Sequence, residues 1–286
     1  MSVPQFKDIQ KAANDVVNKD FYHAAPLSLE LKSTAPNGVA FSVDGKSSAK
    51  DNTLAGKLEA KYADKSSGVT LTQGWTTSNV LSTKIELNEA FTPGLSGNLD
   101  TSFMPETSAK TAKIGITYKQ PGINANALVD VLKGPGFTSD LVLGHGPIIG
   151  GGELTYDLSS GKISRYSAAI GYIQPTYSAS LSASNNLSVF TAAFFHKADA
   201  ATDLGAKATW DSKIPSPSGV GIEASVKYAL DKSAFVKAKI NNQGIAAFAY
   251  SQALSPTVVL GVGLLADTQR LGESAHKVGL SLKFSP

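Results

Sequence analysis

The chain contains no cysteine, which removes disulfide frameworks, thiolate nucleophiles and sulfur-ligated metals from consideration. It is also poor in charge: 17% of residues are Asp, Glu, Lys or Arg, against roughly 25% in soluble domains. That shortfall is not filled by greasy stretches. Mean hydropathy is −0.04, and there is no run of about 18 apolar residues, so a helical membrane protein is excluded. The formal net charge of +3 is mild and dispersed, with no basic cluster, so no nucleic-acid partner is expected. The opening MSVPQFKDIQKAANDVVNKD lacks the apolar region and cleavage pattern of a secretory signal, and none is expected. His23, His145, His196 and His276 stand far apart and form no metal-ligand spacing. No Ser/His/Asp constellation can be assigned either. No metal, no cofactor and no catalysis are expected.

What the chain has instead is a two-residue alternation that restarts again and again from Leu27 to Phe284. Val278, Leu280, Leu282 and Phe284 point one way, while Lys277, Gly279, Ser281 and Lys283 point the other, which is strand periodicity. About nineteen such segments follow one another, typically about eight to ten residues long. The clearest cover residues 27–31, 39–43, 54–62, 69–73, 113–118, 204–210, 222–228, 236–240 and 278–284. Residues 36–38, 65–68, 92–94, 159–162 and 241–244 supply regular turn chemistry between segments. An antiparallel meander is expected.

Segment length decides where such a sheet lives. A tilted membrane strand needs roughly 9–11 residues, whereas soluble strands average about 5–6. The segments match the membrane case, and their apolar face continues from one to the next. Tyr62, Trp75, Tyr118, Tyr172, Tyr228, Tyr250 and Phe284 are read near segment ends, as interfacial aromatic girdles require. About nineteen strands, roughly 4.8 Å apart and tilted near 45°, close into a cylinder on the order of 40 Å across. Side chains alone cannot fill that width, so an aqueous pore is expected. One segment before the strands has helical spacing: Phe6, Ile9, Ala13, Val16 and Val17 against Lys7, Asp8, Lys11, Asn14, Asp15, Asn18 and Lys19, with Pro4 near its start and Pro26 closing the region. This short amphipathic helix is the natural object to narrow the pore. The chain thus divides into residues 1–25, helix and hinge, and residues 26–286, a transmembrane β-barrel.

The stretches FKDIQKAANDVVNKDFYHA, GVTLTQGW, YDLSSGKISRY, VKAKINNQG and HKVGLSLKF resemble, in that order and over nearly the whole length, the mitochondrial outer-membrane porins, the voltage-dependent anion channels, and in particular a fungal member. The resemblance implies a nineteen-stranded all-β barrel whose first and last strands pair in parallel, with the helix inside the pore. It further implies passive exchange of ATP, ADP, phosphate and small anions across the mitochondrial outer membrane, with voltage-dependent closure to less anion-selective states. Lys277-x-Gly279-x-x-Leu282-x-Phe284 is similar to the pattern by which mitochondrial barrels are sorted. The partners implied are membrane lipid, the permeant anions and the import and barrel-sorting machinery, with a homo-oligomer open.

Lys11, Asp15 and Lys19 match charged positions of the family's pore helix, where they would set the field seen by a passing anion. The alternative is an ordinary solvated face, or a helix lying on the membrane surface. Alternation alone turns Lys61 and Lys113 inward, because Leu58, Ala60 and Tyr62, and Ile114, Ile116 and Tyr118, must face lipid. A Lys on the lipid side at midplane would cost about 2–4 kcal/mol. Lys32, Lys237, Lys239 and Lys277 share that phase, so a basic lumen is expected. The resemblance adds weak, transient phosphate contacts for Lys11, Lys19 and Lys113. Gln73 shares the outward phase of Val69 and Leu71, where some animal members carry Glu. Residues 20–26 contain no glycine, whereas animal members have a Gly-rich hinge.

Two fragments look enzymatic and are read otherwise. Residues 40–47 end like a phosphate-binding loop but open no helix, and are expected to be a hairpin turn. The glycine-rich residues 144–152 are expected to be a long turn with bulges. Two other functional classes stay open: a protein-import pore of the same barrel superfamily, and a soluble β-sheet carrier or scaffold.

Overall fold

The structure, a computed structural model, describes residues 3–48, 53–64, 66–89, 92–132, 134–215, 218–273 and 275–285. Lys65, in one expected turn, lies outside them. After a short N-terminal segment, nineteen strands follow in one sheet. They are β1 (Leu27–Thr34), β2 (Ala40–Ser47), β3 (Leu54–Asp64), β4 (Val69–Thr76), β5 (Leu81–Asn88), β6 (Leu95–Met104), β7 (Ala109–Gln120), β8 (Ile123–Asp130), β9 (Gly136–His145) and β10 (Ile148–Asp157). The second half runs β11 (Lys162–Ile173), β12 (Tyr177–Ser184), β13 (Val189–Lys197), β14 (Thr202–Asp211), β15 (Val220–Ala229), β16 (Ala234–Asn241), β17 (Ile245–Ser255), β18 (Val258–Asp267) and β19 (Lys277–Phe284).

Each strand pairs antiparallel with the next, and β1 closes against β19 in parallel, from Leu27 opposite Leu280 to Leu31 opposite Phe284. Closure leaves no unpaired edge, which is what a sheet in hydrocarbon requires because no water is there to satisfy free N–H and C=O groups. The seam is greasy on its outer face: Leu27, Leu29 and Leu31 meet Leu280, Leu282 and Phe284. The same phase continues around the wall, with Leu58 beside Val43 and Trp75, and Ile114 beside Leu99 and Val129. Large apolar side chains such as Ile116, Leu143, Ile170 and Phe248 are exposed on it. An outer face of this kind is unsuited to a soluble carrier.

Turn chemistry fixes the register. Gly38 and Gly244 take the left-handed conformation, with φ of 83° and 75°, at the hairpins that join β1 to β2 and β16 to β17. Asp231 accepts hydrogen bonds from the backbone N–H groups of Ser233 (2.6 Å) and Ala234 (2.7 Å), and Asp199 accepts them from Ala201 (2.7 Å) and Thr202 (2.8 Å). These are Asx turns. At the rims, Phe190 stacks on Trp210 at 5.4 Å, and the Trp75 indole N–H donates to Asn79 at 3.2 Å. Both suit an apolar–aqueous boundary. Tyr250 departs from that girdle. It lies in the middle of β17 in the outward phase, where its hydroxyl donates to Gln252 at 2.9 Å, so a polar tip at depth is satisfied within the wall.

Two fragments expected to be turns are strand. Residues 40–47 form β2 itself, because Phe41 and Val43 continue the outer apolar row while Asp44 and Lys46 look inward. Residues 144–152 run through the end of β9, a tight turn at Gly146 and Pro147, and the first half of β10. Glycines are needed there for close approach: a Cβ on Gly151 would lie 2.5 Å from the Leu141 carbonyl oxygen, and one on Gly144 would lie 2.8 Å from the Val3 side chain.

Candidate functional site

The N-terminal segment lies inside the barrel. Its expected single helix is divided into a 3-10 turn (Phe6–Asp8) and a helix α1 (Lys11–Asn18), and the expected hinge contains a second 3-10 turn (Tyr22–Ala24). Asp20, with φ of 57°, takes the left-handed conformation just after α1. The division lets the segment follow a curved wall. It starts at β8, where the Asn124 amide donates to the Val3 carbonyl at 3.0 Å. Val3 and Ile9 then pack with Val142 of β9 and Ile149 of β10, and Gln10 donates to Ser182 of β12 at 3.0 Å. The helix presses Ala13, Val16 and Val17 against β13, β14 and β15. Beyond it, Phe21 sits on Ala247 and Ala249 of β17, and Tyr22 reaches β18 and β19. The segment is therefore a half-collar at the inner wall, and the wall of β1–β7 faces it across the lumen.

Helix geometry explains which side faces water. Val16 and Val17 enter a space on β14 that exists because residue 205 is Gly; a Cβ there would be 2.9 Å from Val16. Lys11, Asp15, Asn18 and Lys19 are left exposed on the lumenal side. Carbonyls at the C-terminal end of α1 run short of intrahelical partners, although Asp15 still accepts from the Lys19 N–H at 3.3 Å, and the wall supplies further donors. The Ser225 hydroxyl donates to the Val16 carbonyl at 2.9 Å, and the Lys237 ammonium donates to the carbonyls of Asp15 (2.9 Å) and Lys19 (2.8 Å). A cation there also complements the negative end of the helix dipole.

Lys237 is consequently only 3% exposed. It shares the inward phase, but it belongs to the collar's foundation and is no part of the basic lumen lining expected from alternation. Phase shows which side of the sheet a residue is on, not what covers it.

The other lysines differ in their surroundings. Lys61 has Ala40 and Thr72 as register partners, and no carboxylate pairs with it among the described residues. Lys113 stands between Asp100 of β6 and Asp130 of β8 in the inward register, so two carboxylates offset its charge. On β1, β3 and β5, neighbouring inward residues pair with each other: Lys32 with Glu30 at 2.6 Å, Lys57 with Glu59, and Lys84 with Glu86 at 2.6 Å. Arg165 pairs with Glu153 at 3.0 Å across β11 and β10. Such exposed pairs contribute about 0–1 kcal/mol to stability, but they neutralise much of that wall. Lys11 has a loose contact with Asp8 at 3.9 Å.

Lys11, Asp15 and Lys19 thus share one lumenal side of the collar, while Lys61 and Lys113 lie on the opposite wall. In the last strand, Lys277 and Gly279 face inward, and Leu282 and Phe284 continue the outer apolar row. Gln73 is exposed on the outer face between Ala60 and Thr83. Among the described residues there is no group of three or more His, Asp or Glu able to hold a metal. The roles of Lys237, Asp100 and Asp130 escaped the sequence, although the inward phase of the two aspartates was legible from alternation.

A closed barrel of this strand number, with a collar inside, narrows the comparison to one kind of protein. Residues 2–279 match the family model described as eukaryotic porin. The chain belongs to the eukaryotic porin family. It is 48% identical to the mitochondrial outer membrane protein porin of Candida albicans, with both chains covered in full. It is 46% identical to the protein of the same name in Neurospora crassa, over 99% of each chain. The human non-selective voltage-gated ion channel VDAC2 is 32% identical over 98% of this chain and 94% of its own. As a member of that family, this porin is a voltage-dependent channel of the mitochondrial outer membrane.

Proposed function

We propose that the barrel passes ATP, ADP, phosphate and other small metabolites by passive diffusion, with a weak preference for anions and no catalytic step. The observation that carries this reading is the lumen: a wide cylinder lined by polar and charged residues, collared over only part of its circumference. Lys11 and Lys19 on the collar and Lys61 on the facing wall supply the positive field. The preference is weak for a physical reason. The Debye length at physiological salt is about 8 Å, shorter than the barrel radius of about 20 Å, so wall charges act near the wall and little at the axis.

Phosphate contacts are proposed for Lys11, Lys19 and Lys113, transient in each case because a tight site would slow transport. The contact at Lys113 is the weakest of the three, since Asp100 and Asp130 repel the same phosphate. Current noise caused by added ATP in a planar bilayer tests this. Lys19→Gln is expected to reduce that noise severalfold and Lys113→Gln to leave a larger share of it; the reverse order would reject the assignment. The Lys277–Phe284 pattern is proposed to serve recognition by the barrel-sorting machinery.

A further inference from the structure

A joint that lets an inner helix swing would place flexible residues between helix and barrel, yet residues 20–26 hold no glycine. The glycines lie in the wall beneath that stretch. Gly261 and Gly263 of β18 and Gly279 of β19 are in the inward phase. A Cβ on Gly261 would stand 2.4–2.6 Å from carbons of the Tyr22 ring. On Gly263 it would meet the backbone nitrogens of His23 at 2.6 Å and Tyr22 at 2.8 Å. On Gly279 it would meet the carbonyl oxygens of Tyr22 at 2.0 Å and Ala25 at 2.4 Å. No other residue type allows backbone to approach backbone this closely.

The sides of this slot hold the segment as well. Phe21 is buried against Ala247 and Ala249, and the ammonium groups of Lys237 and Lys239 lie 5.0 and 4.9 Å from its ring centroid, within cation–π range. Just upstream, Lys237 holds the carbonyls of Asp15 and Lys19, and Asp20 is 3.9 Å from Lys283 of β19.

We propose that residues 21–25 form a fixed latch rather than a hinge, and that Gly263 and Gly279 are the residues that position it. The latch sets where Lys19, Asp20 and His23 stand at the edge of the aperture. Any voltage-driven movement of the collar then starts at its other end, residues 3–10, or carries β18 and β19 with it. Gly279 also belongs to the last-strand pattern similar to a sorting signal, so this one position answers two demands, entry into the membrane and seating of the latch. The latch requires only that the barrel conducts ions and is independent of which metabolites pass.

Refolding denatured protein into detergent separates the two demands, because no sorting machinery takes part. Four variants are compared with the parent: Gly261→Ala, Gly263→Ala, Gly279→Ala and, as a control, Gly221→Ala. Gly221 is an inward position of β15 where a Cβ meets nothing within 4 Å. Hydrogen exchange in residues 21–25 is expected to speed up by about tenfold or more in Gly263→Ala and Gly279→Ala, with open-channel noise rising in parallel, while Gly221→Ala keeps parental values. Adding Tyr22→Ala is expected to restore Gly261→Ala, whose clash is with the ring, and not Gly279→Ala, whose clash is with backbone oxygens. That pair also carries the test should Gly279→Ala fail to refold. Parental exchange in Gly263→Ala and Gly279→Ala, no rescue of Gly261→Ala by Tyr22→Ala, or equal loosening in the control, overturns the latch.

Discussion

Lys237 shows how one residue's environment outweighs its place in a pattern. Buried beneath α1 and shared between two carbonyls, it contributes to holding the collar instead of attracting permeant anions. Lys237→Met keeps the stem but removes the ammonium from the Lys19 carbonyl and leaves the Asp15 carbonyl only the Lys19 N–H, which costs about 1–3 kcal/mol for an unsatisfied polar group. Local opening of residues 15–19, read by hydrogen exchange, is expected to become correspondingly easier, while barrel strand content is unchanged. Unaltered exchange there would show that the ammonium does not support the helix end. The sequence could place Lys237 inward because Val236 and Ala238 had to face lipid, but nothing in its own strand signalled a helix lying over it. The same limit applied to Lys113: its direction was legible, whereas its two acidic neighbours came from β6 and β8, whose register only the closed sheet defines.

At the level of elements, strands and turns were largely legible and exceptions had local causes. Alternation in β2 was obscured by a sequence ending like a phosphate loop, and that in β9 and β10 by glycines at close approaches, Gly144 of β9 under Val3 and Gly151 of β10 against the Leu141 carbonyl. Of the two fragments, only Gly146 and Pro147 form a turn, with Gly146 at φ of 59°. The collar's subdivision was hidden for a different reason: its apolar spacing fits one continuous helix, but a straight rod cannot follow a curved wall from β8 to β19. Two expectations follow for these elements. Ile116→Arg, on the outer face of β7 away from either strand end, is expected to destabilise the barrel by about 2–4 kcal/mol in a reversible unfolding assay in lipid; no loss would mean this face is not in hydrocarbon. The turns respond to acid. Hydrogen bonds from the Ala201 backbone N–H and the Thr202 hydroxyl hold the Asp199 carboxyl below its ordinary value of 3.8, and bonds from the Ser233 hydroxyl and backbone N–H do the same for Asp231. With the folded value depressed, the turn's stabilisation is complete above the ordinary carboxylate range and is lost as pH falls through the lowered values. Amide exchange at Ala201, Ser233 and Ala234, corrected for its intrinsic pH dependence, is expected to show constant protection between about pH 5 and 8 and a loss of protection only as pH falls below the ordinary carboxylate value of 3.8. Loss of protection already near neutrality would assign it to another group.

For the molecule as a whole, the barrel's size and its charge pattern act together. Nineteen strands enclose more space than a collar on one side can fill, and in-strand ion pairs on β1, β3 and β5 neutralise much of the facing wall. With Asp100 and Asp130 also flanking Lys113, much of that wall's positive charge is offset, and only gentle discrimination by charge is expected. The most direct test is the single-channel reversal potential of refolded protein in a planar bilayer under a KCl gradient, recorded through a voltage ramp and repeated at lower and higher ionic strength. The expected result is a large conductance with a small anion preference that weakens as salt is raised, and closure at either polarity. A strongly cation-selective current, or a preference for anions that does not change with salt, would contradict the account.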